Sequence, residues 1–412
     1  MEIGNSWGRA MAGRRSASVD AKWIRRGLAL LLMLPRQVRI VVVVMGVVVA
    51  GAGYVRWLWR GDGGIAAGEG PGHGLVTPGS GQSEGSAPEE YLVCFWNVEN
   101  LFDDVDDPRP SIDEEYDNGF ARDARLRQLK YERLCEALLR LNGGRGPDMI
   151  ACVEVEGSRA AELLRMELNR RIAEEGRRYG YVAVRDLPNA GRHIAPAVIS
   201  RLPIKPMATR LVGSRLRILE TEISVGGHDL RVIVSHWTSQ LRQQDGGRGE
   251  TGRMSYARTI RSAVDEILKR EPMKDVLVCG DFNDTPDSGV VREGLKATGN
   301  RGELGVSPGS WQLLAVFAGK PADRYGTIWY SGQPRIYDQF CVTAGMLDRV
   351  GWWCDPERVR TETAGLIRRG ASRREPWRFG KPMAGVGESE RGYSDHFPIT
   401  MPLGVEGGRV NP

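Results

Sequence analysis

The stretch VLVCGDFNDTPDS, residues 276–288, shows where a strand of the core meets a polar site. Its first four residues are apolar, which predicts a strand that is buried on both faces. Three polar side chains then come within four positions of Gly280: Asp281, Asn283 and Asp284. Carboxylates at the end of a buried strand cost free energy unless a partner compensates them. The stretch therefore predicts a central strand and, at its end, a site for a charged partner.

Apolar runs typical of strands recur on both sides of this stretch. Before it they are YLVCFWN (91–97), DMIACVE (148–154), YVAV (181–184), APAVIS (195–200), LRILETEI (216–223) and LRVIVSH (230–236). After it come IYDQFCV (336–342) and a short strand that follows Ser394. Periodic apolar residues predict helices over 122–141, 158–175 and 254–270. Many strands with few helices between them favour an α+β layered sandwich over a regular βαβ fold.

The first 60 residues differ from the rest in charge and hydropathy. They hold ten of the 57 basic and two of the 52 acidic side chains, a net charge of +8, whereas the other 352 residues carry −3. Residues 40–55 lack charge, and a helix over them would span roughly 24 Å, slightly less than a ~30 Å hydrocarbon core. Trp57 and Trp59 at the interface, with Arg56 reaching toward water, extend the predicted segment to 40–59.

Two interpretations of this segment remain open. It is either a retained transmembrane anchor or the apolar part of a signal peptide cleaved near the A-x-A pattern at residues 50–52. Basic residues precede the segment, so its N-terminal side is expected in the cytoplasm. Both interpretations place the rest of the chain outside the cytoplasm, anchored to the membrane or exported after cleavage.

The chain then divides by composition into further parts. Residues 1–39 form a basic N-terminal segment, 40–59 the membrane segment, and 60–90 a linker rich in Gly, Ser and Pro. One folded domain is predicted over 91–405, with a tail over 406–412. Because the part that can fold has a net charge of −3, it lacks the strongly basic footprint of a tight DNA-binding protein. That excludes neither cleavage of nucleic acid nor action on another phosphate ester.

Four of the six cysteines lie inside apolar strand-like runs, where cysteine behaves as a small buried hydrophobe. We therefore expect free thiols at these four positions: Cys94, Cys152, Cys279 and Cys341. The states of Cys135 and Cys354 are left open, since an exported chain can form disulfides.

Polar residues stand where the predicted strands end. They are Asn97, Glu99, Glu154, His236, Asp281, Asn283, Asp338, Asp395 and His396. Brought together, they would form one pocket with several carboxylates, two histidines and two amides. Several carboxylates do not stay ionised together at low dielectric without a cation. An all-oxygen ligand set favours Mg²⁺, or Mn²⁺, over zinc.

Such a pocket is suited to phosphoryl transfer. The metal ion and an imidazolium would face the negative phosphate while a carboxylate activates water. Acid–base help alone accelerates a reaction by about 10²–10⁴, and phosphoester hydrolysis needs far more. Metal ion, base and charge-stabilising groups must therefore act together.

Six motifs in order carry a resemblance to a known family: NVENLFD, a Glu that closes the second strand, a strand ending in His-Trp, GDFND, YDQF and SDHFP. In this order, over about 91–402, the sequence resembles the endonuclease/exonuclease/phosphatase superfamily, with its deoxyribonuclease I-like fold, and is most similar to a bacterial branch with the NVENLFD motif. The resemblance implies a four-layer α/β/β/α sandwich, with two central, mostly antiparallel sheets and the active site between them.

The resemblance also implies which residues hold the metal ion. Glu154 would be the principal Mg²⁺ ligand, and Glu99 and Asp395 would lie close to the ion, directly or through water. Asn97 would help to hold the metal ion and the phosphate.

Catalytic roles follow from the same resemblance. Asp281 would orient or activate the water, helped by Asn283. His396, oriented by Asp338, would contact the phosphate or act as the base, and His236 would lie on the other side of the phosphate. The family's Tyr or Arg between the Glu strand and the first His strand has no secure counterpart, and Arg192-His193 is the nearest candidate.

Three hypotheses about function come from these observations. The first is a Mg²⁺-dependent phosphoesterase, a phosphodiesterase or nuclease, with nucleic acid favoured as the substrate. The second is a lipid or inositol-phosphate phosphatase or phosphodiesterase at the membrane surface, which the N-terminal segment makes attractive. The third is a non-catalytic binding module on the same fold. The sequence identifies no protein partner.

Overall fold

The structure is a computed structural model that describes residues 89–187, 191–240, 248–305 and 307–406. The basic segment 1–39, the predicted membrane segment 40–59 and all but the end of the linker lie outside these ranges. Within them, no helix has both the length and the apolar character needed to cross a membrane. The first strand begins at Glu89, so the last two residues assigned to the linker belong to the folded domain.

Sixteen strands and five α-helices make up the described part of the chain. The strands are β1 (Glu89–Leu101), β2 (Met149–Val155), β3 (Tyr181–Val184), β4 (Ala195–Ser200), β5 (Arg210–Leu211), β6 (Ile218–Val225), β7 (His228–His236), β8 (Val276–Asp281), β9 (Ala297–Thr298), β10 (Leu313–Ala315), β11 (Ile328–Tyr330), β12 (Gln333–Arg335), β13 (Asp338–Val342), β14 (Trp352–Cys354), β15 (Arg360–Thr361) and β16 (Ile399–Val405). The α-helices are α1 (Ser111–Arg122), α2 (Ala124–Gly144), α3 (Ser158–Arg170), α4 (Arg248–Arg270) and α5 (Ala322–Tyr325).

Two seven-stranded sheets organise these elements. The first has the order β14-β16-β1-β2-β4-β3, with β15 also paired to β16, and the second has the order β5-β6-β7-β8-β13-β10-β9. Most pairs are antiparallel, but β1 runs parallel to β2, β7 to β8, and β10 to β9. The strands β11 and β12 form a separate hairpin. Two central, mostly antiparallel sheets with helices are the architecture expected from the sequence.

The opening stretch explains how the layers pack. In β8, Leu277 and Cys279 lie in the core between the two sheets, and Val276 and Val278 lie in a second core with α4. A third core joins the outer face of the first sheet to α2 and α3. Helices therefore cover the outer faces of two sheets that pack against each other. The prediction that β8 is buried on both faces is confirmed.

Several boundaries differ from the predicted ones for local reasons. Helix α2 is interrupted near its end, because Asn142 and Gly143 have φ values of 53° and 63°. Asp123 caps its start by accepting a hydrogen bond from the Leu126 amide (2.9 Å). Helix α1 is missing from the prediction, although Ile112, Tyr116 and Phe120 recur in it at helical spacing. All six cysteines are buried free thiols.

Candidate active site

Parallel pairing gathers the polar residues at one edge of each sheet. Because β7 and β8 run parallel and in register, His236 lies beside Asp281 at their carboxyl ends. Asp338 begins the antiparallel strand β13 directly opposite Asp281. In the first sheet the parallel strands β1 and β2 bring Asn97 and Glu154 together in the same way. The topology therefore places residues from distant parts of the chain side by side.

The backbone leaves its regular strand geometry where these side chains begin. Glu99, Asn100, Glu154 and Asn283 have φ values between 50° and 65°, in the left-handed region that non-glycine residues seldom adopt. The β1–β2 register shifts between Asn97 and Leu101. Bulges and left-handed residues at strand ends re-aim side chains at functional sites and store strain there. The chain is thus bent where the site is built.

Asp281 lies at the centre of the cluster and is 1% exposed. Its Oδ1 accepts a hydrogen bond from the Asn283 backbone amide (2.9 Å), and its Oδ2 accepts one from the side-chain nitrogen Asn97 Nδ2 (3.0 Å). His236 Nε2 and His396 Nε2 lie 3.6 and 3.7 Å from the same Oδ2. Burial raises the pKa of Asp281 to about 7, although the His396 imidazolium opposes the shift.

His396 forms a buried pair with Asp338. Its Nδ1 lies 2.7 Å from Asp338 Oδ2, and its carbonyl oxygen accepts a hydrogen bond from Trp96 Nε1 (2.8 Å). Burial alone would lower the pKa of His396, but the carboxylates of Asp338 and Asp281 outweigh it and hold that pKa well above the usual value. His396 is therefore charged at neutral pH.

His236 is neutral, in contrast to His396. Burial, and then the positive charge of Arg217, lower the pKa of His236 well below its usual value. Its Nδ1 is buried with no hydrogen-bond partner among the described residues, and its Nε2 lies 3.8 Å from Glu154 Oε1. The site thus holds one neutral and one charged imidazole on either side of Asp281.

The residues expected to hold a metal ion divide into two groups. Glu154, Asn97 and Asp395 line the central cavity, and Asn97 Nδ2 also donates to Glu154 Oε1 (3.3 Å). Glu99 is not among the residues that line this cavity and instead pairs with Arg378 (2.6 Å). Burial and the charge of Glu99 raise the pKa of Asp395 to about 6.

The donor atoms fit a hard divalent cation. Asp281, Asp338 and His396 each offer a ligand atom within 4.8 Å of the others, but Asp338 and His396 already bind each other. Glu154 and Asp395 supply oxygen ligands of the type that Mg²⁺ prefers. Asn97 instead turns its Nδ2 toward Glu154 and Asp281, and its Oδ1 accepts a hydrogen bond from the Glu99 backbone amide (3.1 Å). Carboxyl groups with pKa values raised by burial and mutual repulsion are stabilised in their charged form by a cation. Glu154 and Asp395 both face the cavity.

The cavity has a volume of about 700 Å³, and several groups in its lining, all but Arg192, were absent from the prediction. Three arginines and three tyrosines line it beside the predicted residues: Arg192, Arg215, Arg217, Tyr256, Tyr330 and Tyr337. Arg192 was the nearest candidate for the family's Tyr or Arg position, whereas its neighbour His193 does not line the cavity. The Arg217 carbonyl accepts a hydrogen bond from the His236 backbone amide (3.1 Å), so Arg217, directly before β6, lies opposite His236 at the end of β7. A basic residue in the strand predicted before this histidine could therefore have indicated Arg217 as a cavity residue.

Acids and histidines that converge between two sheets, next to a cavity with arginines, suit the hydrolysis of a phosphate ester. The chain belongs to the endonuclease/exonuclease/phosphatase family, whose model matches residues 92–404, and this membership confirms the class of reaction. Enzymes of this family hydrolyse phosphoester bonds and depend on divalent metal ions, and this chain is an enzyme of that type. No curated protein sequence matches it.

The chain is also similar to solved structures of low sequence identity. A truncated Caenorhabditis elegans TDP2 is 15% identical and covers 77% of this chain and 98% of its own, with a TM-score of 0.44. SmcL is 12% identical over 77% of this chain and 100% of its own, with a TM-score of 0.46. An endonuclease/exonuclease/phosphatase family protein from Bacteroides thetaiotaomicron is 13% identical over 78% and 99%, with a TM-score of 0.45.

Proposed function

We propose that the protein is a Mg²⁺-dependent phosphodiesterase that cleaves nucleic acid by attack of water on phosphorus. The observation that carries this proposal is the position of Asp281 between a neutral and a charged imidazole, at the edge of a cavity that also contains arginines. Mg²⁺ held by Glu154, with Asn97 and Asp395 nearby, would neutralise the phosphate and stabilise the charge that develops on its oxygens.

Asp281 is the proposed base. A carboxylate with a pKa of about 7 is a stronger proton acceptor than an ordinary aspartate and is still partly ionised at neutral pH. Asn97 and Asn283 hold both of its oxygens in place. In this mechanism Asp281 orients the attacking water and accepts its proton.

The two histidines have different proposed tasks. His396 is charged and oriented by Asp338, so it stabilises the phosphate rather than acting as a base. His236 is neutral, and Nε2 carries its proton in the tautomer that donates toward Asp281 and the phosphate. Deletion of either imidazole removes a hydrogen-bond donor from a site where charge develops.

The cavity lining supports nucleic acid over a lipid substrate. Arginines at positions 192, 215 and 217 suit the phosphates that flank a scissile bond. Tyr330 is partly exposed and offers a surface on which a base can stack, whereas Tyr256 and Tyr337 are buried. The segment 368–381 holds six basic residues and one acid, and one of the basic residues, Arg378, contacts the site carboxylates.

A substrate panel tests this function. The purified chain is assayed with Mg²⁺ against plasmid DNA, RNA, a chromogenic phosphodiester and phospholipids, with EDTA as the control. We expect cleavage of nucleic acid that EDTA abolishes. Turnover of a phospholipid without any nucleic acid would replace the nuclease by the lipid hypothesis. A chain that turns over nothing but still binds nucleic acid would be a binding module.

We also propose that the domain acts outside the cytoplasm, held there by the N-terminal segment 40–59 or released after its cleavage. The support is the charge pattern of residues 1–59, with basic side chains preceding an apolar stretch. Protease added to intact cells or spheroplasts should degrade the domain, or the domain should appear in the culture medium. Protection from protease together with full cytoplasmic recovery would refute this location.

A further inference from the structure

The carboxylate of Glu99 is held by an arginine and two backbone amides. Its Oε1 accepts hydrogen bonds from Arg378 Nε (2.8 Å), Arg378 Nη2 (2.6 Å) and the Gly380 amide (3.2 Å). Its Oε2 accepts one from the Phe379 amide (2.8 Å). A carboxylate oxygen offers about two lone-pair directions, so the three donors at Oε1 leave it no capacity for a metal ion, whereas Oε2 accepts a single hydrogen bond. A side chain expected to lie close to the metal ion is therefore held by four donors, two of them from one arginine.

Glu154 provides the contrast within the same site. Its Oε2 accepts one hydrogen bond from the Asn100 amide (3.0 Å), and its Oε1 accepts one from Asn97 (3.3 Å). Each oxygen keeps capacity for another partner, and the side chain faces the cavity. The two glutamates thus differ in their availability to a metal ion, in the same order as the resemblance ranked them.

Arg378 also reaches the other side of the acid cluster. Its Nη2 lies 3.6 Å from Asp395 Oδ2, so one guanidinium forms ion pairs with the carboxylates of both Glu99 and Asp395. A guanidinium does not lose its proton in proteins, so this positive charge is permanent. A second divalent ion at Glu99 and Asp395 would have to displace a cation that is already bonded there.

The fold fixes the position of Arg378. The Arg378 carbonyl accepts a hydrogen bond from the Gly392 amide (3.0 Å), and Trp377 Nε1 donates to the Glu390 carbonyl (2.8 Å). A Cβ at Gly392 would lie 2.0 Å from the Trp377 carbonyl oxygen, so this close approach requires glycine. The pairing of the Arg378 and Gly392 backbones thus fixes the position from which the Arg378 side chain extends.

We infer that Arg378 is a built-in cation of the active site, which neutralises Glu99 and Asp395 and limits the site to one divalent metal ion, held at Glu154. This inference rests on the proposed metal-dependent function and adds the number of ions and the role of Arg378. Arg378 acts as a positioning residue: it fixes two acidic side chains and leaves a third free for the metal ion.

Metal titration tests the inference without any substrate. The full chain, purified in detergent, is titrated with Mn²⁺ by calorimetry, and free Mn²⁺ is counted independently by electron paramagnetic resonance. We expect one ion per chain in the wild type and a second, weaker ion in Arg378→Gln. The control is Arg374→Gln, which removes an arginine of the same segment that contacts the Phe397 ring rather than the site carboxylates, and which should still bind one ion. The double variant Arg378→Gln/Glu99→Gln should return to one.

Two ions in the wild type, or one in a folded Arg378→Gln, would overturn the inference and leave the proposed function intact. No bound ion in the wild type would instead count against the proposed function, and against this inference with it. If Arg378→Gln does not fold, Glu99→Gln in the wild-type background provides a second test. Removal of a true ligand should weaken Mn²⁺ binding at least about 10-fold. We expect Glu99→Gln to weaken Mn²⁺ binding by less than about 3-fold.

Discussion

Two buried aspartates flank the same strand, Asp275 immediately before β8 and Asp281 at its end. Burial is the main cause that raises the pKa of each to about 7. Their surroundings differ. Asp275 Oδ2 accepts one hydrogen bond, from the Trp352 amide (2.9 Å), and its Oδ1 has no partner among the described residues. Asp281 is contacted by two amides and two imidazoles and opens onto the cavity.

The comparison shows that a raised pKa does not by itself identify a catalytic group. The loops around Asp275 pack too closely for other side chains, since a Cβ at Gly345 or Gly351 would lie 2.8 or 2.7 Å from its carboxylate oxygens. Asp275 is a buried acid in a packed corner of the sheet. Convergent partners and access to a cavity distinguish Asp281.

The largest expected effect is on catalysis. Asp281→Asn removes the proposed base and should lower the rate by about 10²–10⁴-fold, because an amide does not accept the proton of the attacking water. The matched change Asp275→Asn at the other end of β8 should leave the rate within about 3-fold. Initial rates on the substrate of the panel, at saturating Mg²⁺, measure both. Equal losses in the two variants would erase the distinction between the two aspartates.

A smaller effect is expected from the orientation of His396. Asp338→Asn keeps the size of the side chain but removes the charge that fixes Nδ1 and holds the imidazole protonated. We expect a rate about 10–10²-fold lower, with substrate binding little changed. Steady-state kcat and KM separate the two quantities. A variant that loses affinity but keeps its kcat would assign Asp338 to substrate binding.

The smallest effect concerns stability and belongs to Asp275. Its pKa in the folded state is raised, so its stabilising contribution is present at low pH and is lost as pH rises through about 7. Between pH 6 and pH 8 the wild type should lose about 1.4 kcal/mol of unfolding free energy from this group. Asp275→Asn should lack that loss.

Urea unfolding of both proteins at pH 6 and pH 8 measures the difference. Asp265→Asn on α4 controls for the removal of a partly exposed acid that forms an ion pair with Arg261. Parallel pH dependence in wild type and Asp275→Asn would mean that Asp275 is ionised in the folded protein.

Local pattern made much of the fold predictable. The strands β3 and β4 have the predicted bounds, because each is a short apolar run between polar residues. The site residues could be found because apolar strands end abruptly in polar side chains, as at Asp281 and His236. Parallel pairing then brings these ends together. The resemblance implied a site between two sheets, but neither it nor the strand pattern predicted which strands run parallel.

Long-range partners were beyond the reach of the sequence. Glu99 has the same local signature as Glu154, a carboxylate at the end of an apolar strand, and was assigned the same kind of role. Its partner Arg378 lies 279 residues away, among several arginines with no distinguishing pattern. The cavity tyrosines were missed for the same reason, since only the packing of distant segments decides which of them face the site.

The seam between the first and last strands has a consequence for biosynthesis. Strand β16 pairs with β1, and Trp96 holds the carbonyl of His396, although some 300 residues separate them. A ribosome must therefore release nearly the whole domain before the imidazole can reach its place. Chains cut short during translation or by proteolysis before this point would lack both His396 and the strand that pairs with β1.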